Sequence, residues 1–356
     1  MSSFISQDSN NDQQVRATGN DAALSKVSAA TKGYLKDPFI HLFVEPSKRT
    51  FRRAPLINRG YYARAQCIDQ IVLSFLQHCN TSNQTTTSST TTTTTTPTVQ
   101  ATTTSTTSTT APSNTSCTAQ IVTLGAGSDT LYFRLCTSHP ELARNLAIFE
   151  TDFQQVVDRK QQICQGNESL RAIASNENYN IFPCDLRDLN TVTNGLEKCG
   201  FDPNKPTLLL SECVLIYMES EYSNSLIEWA ATQIPTSIFV TYEQIKPNDA
   251  FGAMMVRNIK QRGCPLKSIH KYPTLKSLKD RYEELGYKYV KIRDMNDVYY
   301  NFIDNEDRAR IEKIELFDEL EEWHLIQGHY CLAVAVNDDK MNSEEIDKLH
   351  TGLEFF

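Results

Sequence analysis

Four blocks in the latter part of the chain carry residues able to hold a polar ligand, and each closes a short apolar run. Gly125-Ala126-Gly127-Ser128-Asp129-Thr130 follows Gln120–Leu124, and Glu150-Thr151-Asp152 follows Leu146–Phe149. Cys184-Asp185-Leu186-Arg187 follows Asn180–Phe182, and Ser211 to Met218 follows Thr207–Leu210. Glycines at a strand-to-helix turn let a ligand approach the backbone closely. The loop lacks the third glycine of GxGxxG, which disfavours a pyrophosphate at the helix terminus, and a plain tight turn accounts for two glycines equally well. Asp152 suits the hydroxyls of a ribose, with a helix N-cap as the alternative. Asp185 can accept from an exocyclic amine with Leu186 against the base, or simply pair with Arg187. Glu212 lies in an apolar run and must find a partner or a ligand, because an unpaired buried carboxylate costs several kcal/mol. Tyr217 offers a hydroxyl at the same edge, or an aromatic anchor.

Other chemistries find little support. The seven histidines show no HExxH or paired spacing, so no metal site is expected, and no GxSxG elbow is present. Arg64 lies within an apolar stripe, Tyr61, Ala65, Ile68, Val72, Phe75 and Cys79, whose spacing predicts one helix over 58–79. In that setting an arginine either snorkels to water or is held inside by a partner.

The elements that must position these residues alternate. Strands are expected at 120–124, 146–149, 180–182, 207–210, 237–242, 287–292 and 330–336. Helices are expected at 129–136, 153–164, 220–232, 274–285 and 306–321. Such alternation predicts an α/β fold with a mostly parallel sheet and helices on both faces. Ligands then sit beyond the carboxyl ends of the strands, where all four blocks fall. The strands 287–292 and 330–336 read as a hairpin-like edge pair.

Residues 1–20 are polar and expected to be disordered, and 21–80 form an N-terminal helical segment. In 81–116, 27 residues are Thr or Ser and none is charged. Such a stretch cannot offset its ordering entropy and reads as a low-complexity insertion, inexpensive because loop closure scales with the logarithm of length. The core is placed at 117–340 and a tail at 341–356. With 35 Lys+Arg against 43 Asp+Glu the net charge is −8, and no basic block is present, which argues against nucleic acid or an anionic membrane as partner. No apolar run reaches the roughly 20 residues of a membrane helix, and the polar N-terminus has no signal-peptide core. The ten cysteines include no CxxC pair, so reduced thiols and a cytoplasmic location are expected.

Taken in order, Asp37-Pro38-Phe39, Pro55-x-Ile57-Asn58-Arg59-Gly60-Tyr61-Tyr62-Ala63-Arg64, Gln120-Ile121-Val122-x-Leu124-Gly125-Ala126-Gly127-x-Asp129-Thr130, Asp185-Leu186-Arg187-Asp188-Leu189 and Pro206 to Leu215 resemble the leucine carboxyl methyltransferase family over about residues 24–336. The resemblance implies a Rossmann-like class I S-adenosylmethionine-dependent fold of seven strands, the last antiparallel. It implies S-adenosyl-L-methionine as cofactor. Lys26 and Arg64 would lie near its carboxylate, Gly125 at the loop, Asp152 on the ribose, Asp185 and Leu186 around the adenine, and Glu212 near the methionine moiety. Arg64 and Tyr217 would orient carboxylates. The implied substrate is the C-terminal leucine of the protein phosphatase 2A catalytic subunit, acted on by a monomer. The N-terminal helices and the stretch 243–275, read as a loop, are expected to supply a leucine pocket, with Phe251, Met254 and Met255 as candidates and ordinary core or lid packing as the more common role for such residues. A tRNA-modifying relative carries a C-terminal kelch propeller, and the end of this chain at Phe356 points away from that branch. A methyltransferase for a small-molecule carboxylate and a phosphatase-binding protein without catalysis are the alternatives.

Overall fold

The structure is a computed structural model that describes residues 2–87 and 118–338, with side chains described for 11–80 and 118–338. Seven strands form one sheet in the order β3-β2-β1-β4-β5-β7-β6. They are β1 (Ala119–Leu124), β2 (Leu146–Asp152), β3 (Tyr179–Pro183), β4 (Thr207–Glu212), β5 (Thr236–Gln244), β6 (Tyr289–Asp294) and β7 (Tyr330–Asp338). All pairings are parallel except those of β7, which runs antiparallel to both β5 and β6. The expected seven-stranded class I fold with one antiparallel strand is therefore present.

The position of β7 follows from its side chains. Its Cys331 to Val336 are all buried, so it needs a neighbour on each edge and cover on each face. β6 carries Lys291 and Arg293 and is mostly half-buried, the pattern of an edge strand that charged side chains protect from further pairing. The expected hairpin-like pair is antiparallel, as read. However, β7 inserts between β5 and β6, and three helices rather than a turn separate the two strands in sequence.

Helices α1 (Ser2–Lys32) and α2 (Pro55–Thr87) precede the sheet. Helices α3 (Leu131–Ser138) and α4 (Pro140–Ala143) follow β1, α5 (Gln154–Gly166) and α6 (Glu168–Ala174) follow β2, α7 (Leu189–Lys198) follows β3, and α8 (Ser220–Gln233) follows β4. Helices α9 (Ala250–Gln261) and α10 (Leu275–Glu284) lie between β5 and β6, and α11 (Met295–Asn301), α12 (Asn305–Ile311) and α13 (Leu320–Gly328) between β6 and β7. One core layer packs α2 against the sheet through Ile68, Ile71, Val72 and Phe75 with Ile121, Leu208 and Val240. The other packs α8 through Leu226, Ile227 and Ala230 against Val122, Leu209 and Phe239.

Three expectations are corrected. Residues 2–20 are not disordered: they belong to helix α1, whose Ala23 and Val27 pack on Ile40 and Val44. A polar helix with one buried face hides its amphipathicity when only half of it is inspected. The helix read over 306–321 is two, α12 and α13, and the stretch 243–275 contains α9, capped by Asp249 through the amide of Gly252. The insertion 81–116 falls mainly outside the described residues, with 81–87 completing α2, and the tail 341–356 lies wholly outside them.

Candidate functional site

The sheet order reverses between β1 and β4, and the crevice at that switch point is where a doubly wound sheet receives its ligand. A cavity of about 960 Å³ lies there, and Lys26, Arg64, Gly125, Asp152, Asp185, Leu186, Glu212 and Tyr217 all line it. All eight candidate residues are thus brought to one cavity from α1, α2 and the ends of four strands. Residues 12–23 of α1 line it as well, so a helix covers one side of the crevice. Arg16 of that helix donates to Gln155 at 2.7 Å, and Arg159 of α5 donates to Asn20 at 2.7 Å.

Arg64 is held inside. Its Nε donates to Glu212 Oε2 at 2.5 Å and its Nη2 to the Glu212 carbonyl at 3.4 Å. The guanidinium also lies 4.8 Å from the ring centre of Tyr242, close enough for a cation–π contact. Burial opposes the charge of each partner, but their mutual attraction prevails: Arg64 is held well above the ordinary arginine range, and Glu212, also facing Lys26, below the ordinary carboxylate range. The acid in the apolar run has found its partner on α2.

Lys26 Nζ sits 3.8 Å from Asp129 Oδ1. Burial raises the Asp129 carboxyl, but Lys26, Lys160 and Arg134 together carry it below the usual value. Asp129 is 7 % exposed, and its Oδ2 has no partner among the described residues. Beneath it, Lys160 Nζ reaches Glu150 Oε2 at 2.6 Å and the Asp129 carbonyl at 2.7 Å, while Tyr179 donates to Glu150 at 2.8 Å. Glu150 is thus a buried structural acid, and Asp152 is the one that reaches the cavity.

Asp152 is not the N-cap of α5; Phe153 occupies that position. Its Oδ2 accepts from the Gly127 amide at 2.8 Å and its Oδ1 from Phe153 at 2.7 Å, which ties the β2 end to the glycine loop. Burial raises its carboxyl above the ordinary value despite these amides. Gly125 has φ +70° and Gly127 φ +53°, the left-handed region where glycine is favoured. A Cβ on Gly125 would meet Val214 at 2.6 Å. Asp185 does form the local pair: Arg187 Nε and Nη2 donate to its carboxylate at 2.9 and 2.7 Å. Arg187 continues to Asp12 of α1, with Nη2 at 2.8 Å from Asp12 Oδ2. The Arg187 amide also donates to Asp185 Oδ1 at 2.9 Å, and with these bonds made Asp185 still lines the cavity.

Tyr217 lies on a 3-10 turn, Leu215–Tyr217, and packs partly against Ile216, Leu266 and Ile269. The pocket candidates fare differently. Met255 joins that same apolar cluster, Phe251 packs on His329 with ring centres 4.5 Å apart, and Met254 is exposed. None of the three lines the cavity; Leu56, Ile57, Ile259 and Ile326 supply its apolar wall instead. No group of three metal-ligating side chains occurs among the described residues, and no described helix is long and apolar enough to cross a membrane.

The residues present fit S-adenosylmethionine. Two cations stand near two acids, as a zwitterionic amino-acid end requires. Asp129 Oδ2 is a buried orphan acceptor, and the glycine loop keeps side-chain atoms out of the cradle. The sequence assigns no role to Asp129, which was visible as the acid closing the glycine loop, to Lys160, or to Asp12, whose contact with Arg187 spans 175 residues.

Comparison with known proteins points to one family. The family model for leucine carboxyl methyltransferase matches residues 15–231. The chain is 37% identical to the leucine carboxyl methyltransferase 1 homolog of Arabidopsis thaliana over 91% of this chain and 89% of that protein. It is 32% identical to leucine carboxyl methyltransferase 1 of Rattus norvegicus over 91% and 90%. It is also 36% identical to human tRNA wybutosine-synthesizing protein 4 over 92% of this chain but 45% of that protein. With the glycine loop, the strand-end acids and the buried Arg64–Glu212 pair all in one crevice and the family model spanning more than half its length, the chain belongs to the leucine carboxyl methyltransferase family.

Proposed function

We propose that this chain methylates the α-carboxylate of the C-terminal leucine of the protein phosphatase 2A catalytic subunit, giving a leucine methyl ester and S-adenosylhomocysteine. S-adenosyl-L-methionine, when bound, supplies an electrophilic methyl carbon on a sulfonium sulfur. Lys26, Arg64 and Glu212 would hold its amino-acid end, Gly125 and Asp152 its ribose side, and Asp185 and Leu186 its adenine. A peptide α-carboxylate has a pKa of roughly 3.5 and is already ionised at neutral pH, so no side chain need remove a proton. The carboxylate oxygen forms the new C–O bond as the C–S bond breaks with its electron pair going to sulfur. The work left to the protein is to orient the acceptor and exclude water, and orientation alone is worth several kcal/mol.

The observation that carries the reading is Arg64. Nε and Nη2 are committed to Glu212, while Nη1 has no hydrogen-bond partner among the described residues and the side chain lines the cavity. A planar guanidinium with donors in reserve suits a second carboxylate. Tyr217 lines the same cavity and would support the same acceptor, and the apolar residues Leu56, Ile57 and Ile326 suit a leucine side chain. The chain is proposed to act in the cytoplasm as a monomer.

The test is transfer of radiolabelled methyl to the phosphatase catalytic subunit, with and without its last residue, with tRNA and free leucine in parallel. Base-stable label absent and base-labile label present only on the intact subunit is the expected result. Label that persists after deletion of the terminal leucine, or label on tRNA alone, overturns the substrate assignment.

A further inference from the structure

The turn that carries Tyr217 into the cavity is held from outside the cavity by one buried carboxylate. The 3-10 turn Leu215–Tyr217 begins with no capping side chain of its own. Its amides reach to the neighbouring strand instead. Ile216 N donates to Glu243 Oε1 at 2.8 Å, and the amides of Leu215 and Val214 also favour the charge of Glu243. Next to it on β5, the Tyr242 carbonyl accepts from Cys213 N at 2.7 Å. Cys213 has φ +55°, a conformation a non-glycine residue keeps only where its surroundings impose it. Two successive β5 residues therefore fix the path of the chain from the end of β4 into the turn. At the head of that turn Val214 fills the space beside Gly125, and at its tail Tyr217 lines the cavity.

We propose that Glu243 is a positioning residue for methyl transfer: by gathering the amides of residues 214–216 it fixes Val214 against the glycine loop and Tyr217 at the acceptor wall. The proposal rests on the reading of Tyr217 as an acceptor-orienting group. Glu243 acts through the turn alone; it is 5 % exposed and absent from the cavity wall.

The chemistry of the cap favours an ionised acid. A carboxylate only accepts, and it can serve several amides at once, whereas a glutamine presents an NH₂ that opposes one of them. Charge-assisted bonds are also about twice as strong as neutral ones. The groups facing Glu243 are Arg281 and Tyr282 of α10, Cys213 at the end of β4 and Cys331 of β7. Arg281 is itself buried, and it donates to Ser223 at 2.6 Å and Asn224 at 2.8 Å on α8. Burial pushes the Glu243 carboxyl up to about 7, with Arg281 and the turn amides pulling it back. The cap is therefore fully charged only above neutrality.

The experiment compares the full chain with Glu243→Gln. Acceptor KM and kcat, the affinity for S-adenosylhomocysteine by titration calorimetry, and amide hydrogen exchange over 213–218 are measured at pH 6 and pH 8. At pH 8 the variant is expected to raise the acceptor KM at least tenfold, to weaken S-adenosylhomocysteine binding by less than that through the loosened Val214, and to exchange faster over 213–218. The parent KM should rise from pH 8 to pH 6, while that of the variant stays flat. Unchanged exchange, or faster exchange with an unchanged KM, overturns the proposal. Should Glu243→Gln fail to fold, Glu243→Asp keeps the charge one methylene further back and is expected to give an intermediate KM; a parental KM overturns the proposal there too. If the parent methylates no leucine terminus, the substrate reading fails by itself, and the exchange measurement still decides whether Glu243 holds the turn.

Discussion

Val214 occupies the space that a side chain on Gly125 would need, its Cγ2 standing 2.6 Å from where a Cβ would be. The glycine loop and the β4 turn are thus fitted to each other across the switch point of the sheet. Neither can be altered without moving a wall of the cavity.

Gly125→Ala should therefore cost cofactor binding. The alanine must accept φ +70°, at about 1–2 kcal/mol, and displace Val214, at about 1–3 kcal/mol. S-adenosylhomocysteine affinity is expected to fall at least tenfold. Gly127→Ala shares the positive φ but has open space around its Cβ, so its loss should be smaller. Calorimetric titration of both variants checks the order, and equal losses would remove the Val214 argument.

Removing one partner of the Arg64–Glu212 pair leaves the other charge buried. Arg64→Ala is expected to abolish transfer and to lower stability by about 3–5 kcal/mol. The double variant Arg64→Leu with Glu212→Gln should recover most of that stability and none of the transfer. Urea denaturation and a methylation assay separate the two effects. Near-normal turnover in Arg64→Ala refutes its role.

The pair Lys160–Glu150 is enclosed, at 2 % and 0 % exposure, with Lys160 at the cavity wall and Glu150 behind it. Lys160→Met strands the Glu150 charge. Burial already pushes the Glu150 carboxyl above its usual range, so the variant should take up a proton there and lose about 3 kcal/mol or more. A loss below about 1 kcal/mol in urea titration at pH 8 would show that the pair carries little of the stability.

The titration of Glu243 has a definite sign. Its carboxyl is raised from 4.5 to about 7 in the folded chain, so between those values the folded state holds the proton more tightly than the unfolded state. That contribution to stability is complete below pH 4.5 and is lost as pH rises through 7. The stability of the parent relative to Glu243→Gln should accordingly fall by up to roughly 3 kcal/mol from pH 4.5 to pH 8. Over the same range the acceptor KM of the parent should improve. A group that costs stability in the pH range where it aids turnover is serving the site rather than the fold. A pH-independent stability difference would contradict this.

Much of the site was legible because a parallel sheet delivers its functional residues at strand ends. The alternation of apolar runs with Gly125, Asp152, Asp185 and Glu212 just beyond them encodes one crevice, whatever the helices do. The Ile68–Val72–Phe75 stripe likewise marks a helix face. Of the two strands read as an edge pair, β6 is at the edge and β7 lies inside the sheet between β5 and β6. What escaped were features whose evidence is spread along the chain. α1 looked disordered because its buried residues, Ala23, Ser25, Val27, Ser28 and Ala29, are small and lie beyond the polar half. The Arg187–Asp12 contact joins residues 175 apart. Phe251, Met254 and Met255 were apolar without lining the cavity.

The sequence by itself determined the alternating α/β order, the glycine loop and the acids that follow each strand, because periodicity and strand-end chemistry are local properties of a few consecutive residues. Only the tertiary structure decided which charge meets which: that Arg64 pairs with Glu212, that Lys26 stands by Asp129, and that Glu243 caps the turn of Tyr217. Such pairings depend on distances between elements far apart in the chain, and in a buried site those distances determine which charges are stabilised.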